Sequence, residues 1–137
     1  MIKLKVKTQQ EAFDLVMKRL HKQKVPSITG GDDDVSCVYA GVGRHRCAIG
    51  HLLDAPKSKL VKLDNIDSLG IDISGLIENG VVDPGELNDE FLNNLQYCHD
   101  SAALKKMFDD ENKAEFLEIF DEKMKIFAKE YELNFEN

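Results

Sequence analysis

The sequence predicts an α+β fold with a single domain, residues 1–137, in which a small antiparallel β-sheet packs against several α-helices. Residues 2–7 and 35–40 alternate apolar side chains with the period of two that is typical of strands. Several later segments carry apolar residues at helical spacing instead. A chain of 137 residues is also long enough to bury a core without disulfides or metals.

The predicted sheet consists of residues 2–7, 35–40 and 44–47. Residues 2–7 place lysines on one face and apolar side chains on the other. Gly41 and Gly43 lie between the second and third predicted strands, and glycine readily adopts the positive φ that a reversal requires. We expect the N-terminal strand to pair with this hairpin.

The first predicted helix begins after Thr8 and ends near Gln23. Thr8 and Glu11 form a capping box, apolar residues follow at i, i+3, i+4 and i+7, and Pro26 stops the helix. Residues 27–34 contain two glycines and three aspartates and are predicted to form an exposed loop. The aspartates suggest a calcium loop, but the distal glutamate and the glycine spacing of an EF-hand are missing.

Two or three short helical segments are predicted in the middle of the chain. One begins at Cys47 and ends before Pro56. Residues 57–67 are mixed and indicate a helical turn. Residues 71–79 are expected to form a short helix that ends at Gly80, because glycine is the common residue just past a helix.

Two longer helices are predicted in the C-terminal half. The first has Asp83 as its N-cap and an apolar stripe that includes His99. The second runs from about Glu111 to Tyr131 and buries a stripe of aromatic residues. The apolar residues of segment 133–135 are expected to fold back on the core.

The position of Cys47 suggests a reactive thiol. The positive end of a helix dipole and the nearby Arg44 and Arg46 all favour the thiolate, so the sequence predicts a lowered pKa. The alternative is a small buried residue that packs the hairpin against the core, since free cysteine is among the most buried residue types.

Two short motifs carry a resemblance to a known family. They are CVYAGVGRHRCAIGHLL at 37–53 and LQYCHD at 95–100. Together they resemble a family of small uncharacterised proteins from tailed phages and prophages, over roughly residues 8–131. The motif residues outside Cys47, His99 and Asp100 are Cys37, Tyr39, Gly50 and Gln96. The basic segment 44–46 departs from the shorter, more neutral turn of that family. The family implies no activity.

One hypothesis for the motifs is a cysteine-dependent hydrolase or amidase. Cys47 would be the nucleophile and His99 the base, with Asp100 or Gln96 orienting the imidazole and amides near Cys47 forming an oxyanion hole. Against this hypothesis, no signature of a thiol hydrolase surrounds Cys47, and a histidine among leucines is more often a hydrogen-bonded core residue.

A second hypothesis is a zinc site, because the chain has enough sulfur and imidazole ligands. The candidates are Cys37, Cys47, His51, Cys98 and His99. Their spacing is unsuitable, since the first two cysteines are ten residues apart and the last two candidates are adjacent. The sequence therefore predicts no metal and no cofactor.

Charge is distributed unevenly along the chain, whose formal net charge is −7. Residues 1–62 contain 12 Lys and Arg against 6 Asp and Glu, and residues 63–137 contain 6 against 19. This division makes direct nucleic-acid binding unlikely on charge grounds, because that function needs a continuous basic surface.

The preferred hypothesis is a protein-interaction module whose acidic C-terminal helices dock on a basic partner, for example a host protein. Its densest acidic cluster is Asp109, Asp110, Glu111, Glu115, Glu118, Asp121 and Glu122. An odd number of cysteines, the absence of a signal peptide and the absence of a long apolar run predict a cytoplasmic protein without a membrane segment.

Overall fold

Helices form most of the protein, and two short pairs of strands connect its loops. The computed structural model describes residues 1–29, 36–67, 72–108 and 115–135. Within them the helices are α1 (Gln9–Gln23), α2 (Ala48–Leu52), α3 (Lys57–Asp67), α4 (Ile73–Glu78), α5 (Asp89–Phe108) and α6 (Phe116–Glu130). The strands are β1 (Ile2–Lys3), β2 (Ile28–Thr29), β3 (Ser36–Cys37) and β4 (Val82–Asp83). The chain therefore combines helices and short strands, which agrees with the predicted mixture of α and β structure.

Helix α1 has the boundaries that its capping residues predict. The Thr8 side chain accepts a hydrogen bond from the Glu11 amide, and the Glu11 carboxylate accepts one from the Thr8 amide. The helix ends at Gln23, and Lys24 follows in the left-handed conformation at φ 69°. The stripe that includes Phe13 and Leu20 is buried, because it faces α2 and α6.

The predicted three-stranded antiparallel sheet is wrong in its pairing. β1 pairs in parallel with β4, Ile2 opposite Val82, and the segment after β1 forms an isolated antiparallel bridge from Leu4 to Leu53. The two predicted strands of the hairpin are joined to each other by an isolated bridge between Ala40 and Arg46. Alternation along a strand indicates which face is buried and says nothing about which strand is its neighbour.

The predicted exposed loop of residues 27–34 is also corrected in its described part. Ser27 is fully buried, and β2 pairs antiparallel with β3, Ile28 opposite Cys37. Residues 30–34 and Val35 lie outside the described residues. Polar residue types in this segment suggested solvent exposure, whereas its amides are paired with strand β3 and with α5.

Helix α5 begins later than predicted. Asp83 belongs to β4, Gly85 follows in a turn at φ 62°, and the side chain of Asn88 accepts a hydrogen bond from the Phe91 amide at 2.7 Å. The Asp-Pro-Gly sequence therefore makes a turn, and the helix N-cap lies five residues further on. Residues 57–67, predicted as a single turn, form the whole of α3.

The short helix predicted over residues 71–79 is confirmed as α4 within the described residues. The Asp72 side chain caps it by accepting from the Gly75 amide at 3.0 Å. Gly80 follows at φ 72°. Ile71 lies outside the described residues.

The core lies around α5, which packs against α2, α4 and α6. Phe91 of α5 and Phe127 of α6 place their ring centroids 5.3 Å apart. Phe127 stacks on Phe13 of α1, and Phe135 packs edge-on against the same ring at 6.1 Å. The apolar residues of segment 133–135 therefore fold back on the core, as predicted. None of the helices in the described ranges has the length and hydrophobicity that crossing a bilayer requires.

The backbone of the hairpin is held by one contact with α3 and one with α2. The Asp64 carboxylate on α3 accepts hydrogen bonds from the amides of Tyr39, at 2.6 Å, and Ala40, at 3.2 Å. The carbonyl of Tyr39 approaches Gly50 of α2 so closely that a Cβ at residue 50 would overlap its oxygen. Only glycine permits this approach of backbone to helix.

Replacing Gly50 with alanine is therefore expected to lower the free energy of unfolding by about 1–3 kcal/mol, the usual cost of overpacking. Urea denaturation monitored by circular dichroism measures the change. Lys62→Ala on the exposed side of α3 is the control, and it should change stability by less than about 0.5 kcal/mol. Equal stability of G50A and the wild type would contradict the close approach.

Candidate functional site

The two sequence motifs meet where the start of α2 contacts the middle of α5. The side-chain carbonyl of Gln96 accepts a hydrogen bond from the Ile49 amide at 2.8 Å. The amide group of the same side chain donates to Asp100 Oδ1, also at 2.8 Å. Gln96 thus satisfies an early amide of α2, which has no partner within its own helix.

His99 extends this network into the interior. Its ring is fully buried, and Nε2 accepts a hydrogen bond from the Ser27 amide at 2.9 Å. A nitrogen that accepts from an amide carries no proton, so the proton of the neutral ring is on Nδ1. Nδ1 donates to Asp100 Oδ1 at 2.8 Å. The imidazole therefore links the segment before β2 to α5.

Cys47 is the N-cap of α2, as predicted, but its thiol is not activated. Sγ accepts a hydrogen bond from the Gly50 amide at 3.3 Å, and the residue is fully buried. Burial raises the pKa of the Cys47 thiol well above its ordinary value, and the Asp100 carboxylate raises it further. The Gly50 amide and Gln96 lower the pKa by less. The predicted lowered pKa is wrong, because the loss of solvation outweighs the helix terminus.

These contacts leave the predicted catalytic residues without free functional groups. Cys47 is inaccessible and favours the thiol form. Both nitrogens of His99 are engaged, so neither has a lone pair available to take a proton from a thiol. Asp100 does orient the imidazole, as the hypothesis required, but its partner is the buried structural network.

A cavity that the sequence did not predict opens beside Asp100. Its volume is about 410 Å³. The residues that line it are Cys37, Val38, Tyr39, Asp72, Ile73, Asn93, Asn94, Gln96, Tyr97 and Asp100. The half-buried Cys37, and not Cys47, is the motif cysteine at this opening, with its Sγ 4.0 Å from the Asp100 carbonyl oxygen. Residue spacing in the sequence could not reveal this cavity, because its walls come from three separate segments, residues 37–39, 72–73 and 93–100.

Among the described residues one cluster has the composition of a metal site. The ligand atoms of Cys37, His99 and Asp100 lie within 4.8 Å of one another. The Ser27 amide occupies Nε2 of His99 and thereby keeps the proton on Nδ1, so neither nitrogen presents a lone pair to a cation. This hydrogen-bond pattern does not fit a metal ligand set.

The zinc ligands considered from the sequence are separated in the fold. The Cys98 thiol is directed at α6, where it donates to the Lys123 carbonyl at 3.9 Å. Nε2 of His51 lies 2.9 Å from the side-chain oxygen of Gln23 on α1. Cys47 is enclosed at the start of α2.

Only part of the predicted acidic cluster lies within the described residues. Asp109, Asp110 and Glu111 lie outside the described residues. The side chains of Glu115, Glu118 and Glu122 are exposed. The half-buried Asp121 is in contact with His21 of α1 at 2.6 Å, so its carboxylate is engaged within the protein.

α5 and α6 form a groove of about 280 Å³ whose charged lining residues are Lys123 and Glu130. Tyr97 and Ile126 line it and are 65% and 69% exposed. Both are large apolar side chains that remain exposed to solvent.

Comparison with protein families, with curated proteins and with solved structures finds no match to this chain. The resemblance to small phage proteins therefore stays a prediction.

Replacing His99 with alanine is expected to lower the free energy of unfolding by about 3 kcal/mol, because the buried Ser27 amide loses its acceptor and a cavity opens. His21→Ala is the control, since His21 and Asp121 are partly exposed and such pairs contribute less than about 1 kcal/mol. Chemical denaturation of both variants provides the comparison. A loss no larger in H99A than in H21A would contradict the structural role of His99.

Alkylation of the folded protein by iodoacetamide is expected to modify Cys37 first. Cys47 and Cys98 are buried, and burial raises the pKa of Cys98 to about 12 and that of Cys47 well above its ordinary value. Mass spectrometry of peptides after timed quenching measures the three rates. Labelling in urea, where all three thiols should react alike, is the control. Cys47 reacting as fast as Cys37 would show that its burial is wrong.

Proposed function

We propose that this chain is a protein-interaction module that docks through α5 and α6 on a basic segment of a partner protein. The observation that carries the proposal is the pairing of Tyr97 and Ile126 in one exposed groove between the two helices. Aromatic and large aliphatic side chains that remain exposed beside a groove are typical of interface hot spots.

The carboxylates along α6 favour a basic partner. On α6, Glu118, Glu122, Ile126 and Glu130 are exposed and recur every four residues, so they lie along one side of the helix. We define this row together with Tyr97 as the docking face. The groove itself is lined by one cation, Lys123, and one carboxylate, Glu130. The acidic part of the docking face is therefore the N-terminal half of α6, which carries Glu118 and Glu122 and no lysine.

We assign different roles to the two parts of the docking face. The groove buries apolar side chains of the partner, which supplies most of the affinity. The carboxylates attract and orient a basic segment, which increases the association rate and the specificity. If the resemblance to phage proteins holds, the partner is a basic protein of the bacterial host and the complex forms in its cytoplasm.

The docking face can be tested with two designed amphipathic peptides, one with lysine and one with glutamate on the polar side of an otherwise identical leucine helix. Isothermal titration calorimetry should show that the lysine peptide binds more tightly and that its affinity falls as salt is raised. Tyr97→Ala combined with Ile126→Ala should weaken binding of the lysine peptide by about tenfold or more.

Val61→Ala is the matched control, because Val61 is an exposed apolar residue on α3, outside the docking face. It should leave the affinity within about twofold of the wild type, as expected of a residue outside the interface. Equal binding of both peptides, or an unchanged affinity in the double variant, would exclude the proposed docking face.

A further inference from the structure

A second cavity, of about 360 Å³, is unusual in its charge. It is lined by all three arginines of the chain together with two lysines. These cations are Lys5, Arg19, Arg44, Arg46 and Lys57, and we call the space they surround the basic cavity. It is formed by α1, the segment after β1, the hairpin turn and the ends of α2 and α3, and it does not overlap the docking face.

The side chain of Gln23, the last residue of α1, holds together the elements that form the basic cavity. Its side chain accepts from the Arg46 amide at 2.9 Å and donates to the Arg46 carbonyl at 3.0 Å. It also contacts Nε2 of His51 at 2.9 Å. These contacts bring the hairpin and α2 against α1, where Arg19 lies one turn before Gln23. Cations distant in sequence thus converge.

Carboxylates do not neutralise these cations within the described part of the chain. None of the five cationic groups there has a carboxylate oxygen within 4.0 Å. Asp54 is close enough to raise the pKa of Lys5, but burial and then Arg46 and Arg19 lower it. Lys57 Nζ donates instead to the Gly43 carbonyl at 2.9 Å, and Arg46 Nη1 to that of Gly50 at 3.4 Å.

The half-buried His51 lies in the wall of the basic cavity, where both burial and the cations act on its ring. Burial lowers its pKa to about 4, with Arg46, Arg19, Lys5 and His99 as further causes. The neutral ring donates from Nε2 to Gln23, which leaves Nδ1 with a lone pair. A bound anion would oppose the field of the cations and raise this pKa.

We infer that the basic cavity is a binding site for the phosphate group of a small ligand. Guanidinium groups match phosphate oxygens in bidentate geometry, and the lysines add point charges at the rim. A volume of about 360 Å³ is within the range of small-molecule sites. A small ligand is favoured over a nucleic acid because the cations form one compact cluster on a chain of net charge −7.

The first test compares ligands by isothermal titration calorimetry with the full chain. The probes are inorganic phosphate, pyrophosphate, adenosine monophosphate and adenosine. Phosphate, pyrophosphate and the nucleotide should bind, and adenosine should not. Nucleotide binding tighter than phosphate binding would identify an organic phosphate as the ligand class, and equal affinities would identify free phosphate.

The second test uses variants with matched charge. Arg19→Gln combined with Arg44→Gln removes two exposed guanidinium groups from the basic cavity, and pyrophosphate affinity should fall by at least about tenfold. Lys22→Gln combined with Lys62→Gln removes the same charge from exposed positions elsewhere and should change affinity less than about twofold at moderate salt. Circular dichroism confirms that both double variants are folded.

The third test needs no variant. The imidazole of wild-type His51 is titrated by NMR with and without pyrophosphate, and its pKa should rise from about 4 when pyrophosphate is bound. An unchanged pKa at saturating pyrophosphate would place binding elsewhere and overturn the inference.

Three other outcomes would also overturn it. They are adenosine binding as tightly as its monophosphate, equal losses in the two double variants, and tighter binding of a single-stranded oligonucleotide than of pyrophosphate. The last would assign the basic cavity to a nucleic acid. All three leave the docking face untouched, because its peptides, variants and residues are different.

Discussion

The hydrogen bond from the Ser27 amide to His99 determines how the polar groups inside this protein are arranged. A buried amide without an acceptor costs about 1–3 kcal/mol, so this donor requires a partner. By accepting, Nε2 fixes the tautomer of the ring and directs the proton on Nδ1 to Asp100. Asp100 then accepts from Gln96, whose other end satisfies the Ile49 amide of α2. One bond in the interior thus orders a chain of contacts between three segments.

This network explains why the motif residues are close together without forming a catalytic site. A catalytic histidine must present a lone pair to its nucleophile, whereas His99 uses both nitrogens internally. No buried side-chain nitrogen or oxygen in the described ranges lacks a partner. A fully satisfied network of this kind makes the packing of α5 specific, which is a structural role.

The elements that follow from local chemistry were predictable, and those that depend on distant partners were not. The capping box that sets the start of α1 lies within four consecutive residues, Thr8 to Glu11. The apolar stripe around Leu95 identifies the buried side of α5 in the same way. The partner of β1 comes from residue 82, and no local pattern encodes a contact across 80 residues. The helix start predicted at Asp83 is wrong for a related reason, because Asp-Pro-Gly suits a turn as well as a helix start.

The position of Cys47 at the start of α2 was predicted correctly, but the predicted lowering of its thiol pKa was wrong. The helix terminus contributes about 0.3–1 kcal/mol to an exposed anion. Full burial shifts pKa values by up to about 3–5 units, at about 1.4 kcal/mol each, so desolvation dominates. The sequence places the thiol at the first turn of α2, but its burial depends on the packing of α2 against α1 and α5, which are distant in sequence. The accessible thiol, Cys37, belongs to the same motif and could be identified only from the fold.

The charge separation along the chain has a local counterpart in three dimensions. The positive excess of residues 1–62 is concentrated where Gln23 joins α1 to the hairpin, because Arg19, Arg44 and Arg46 converge there. Bringing like charges together opposes folding, and after burial these cations are the next causes of the low pKa of His51. A ligand that binds only the folded state stabilises that state by mass action. An anion in the basic cavity would therefore reduce the repulsion between the cations. Its binding would also stabilise the packing of α1 against the hairpin.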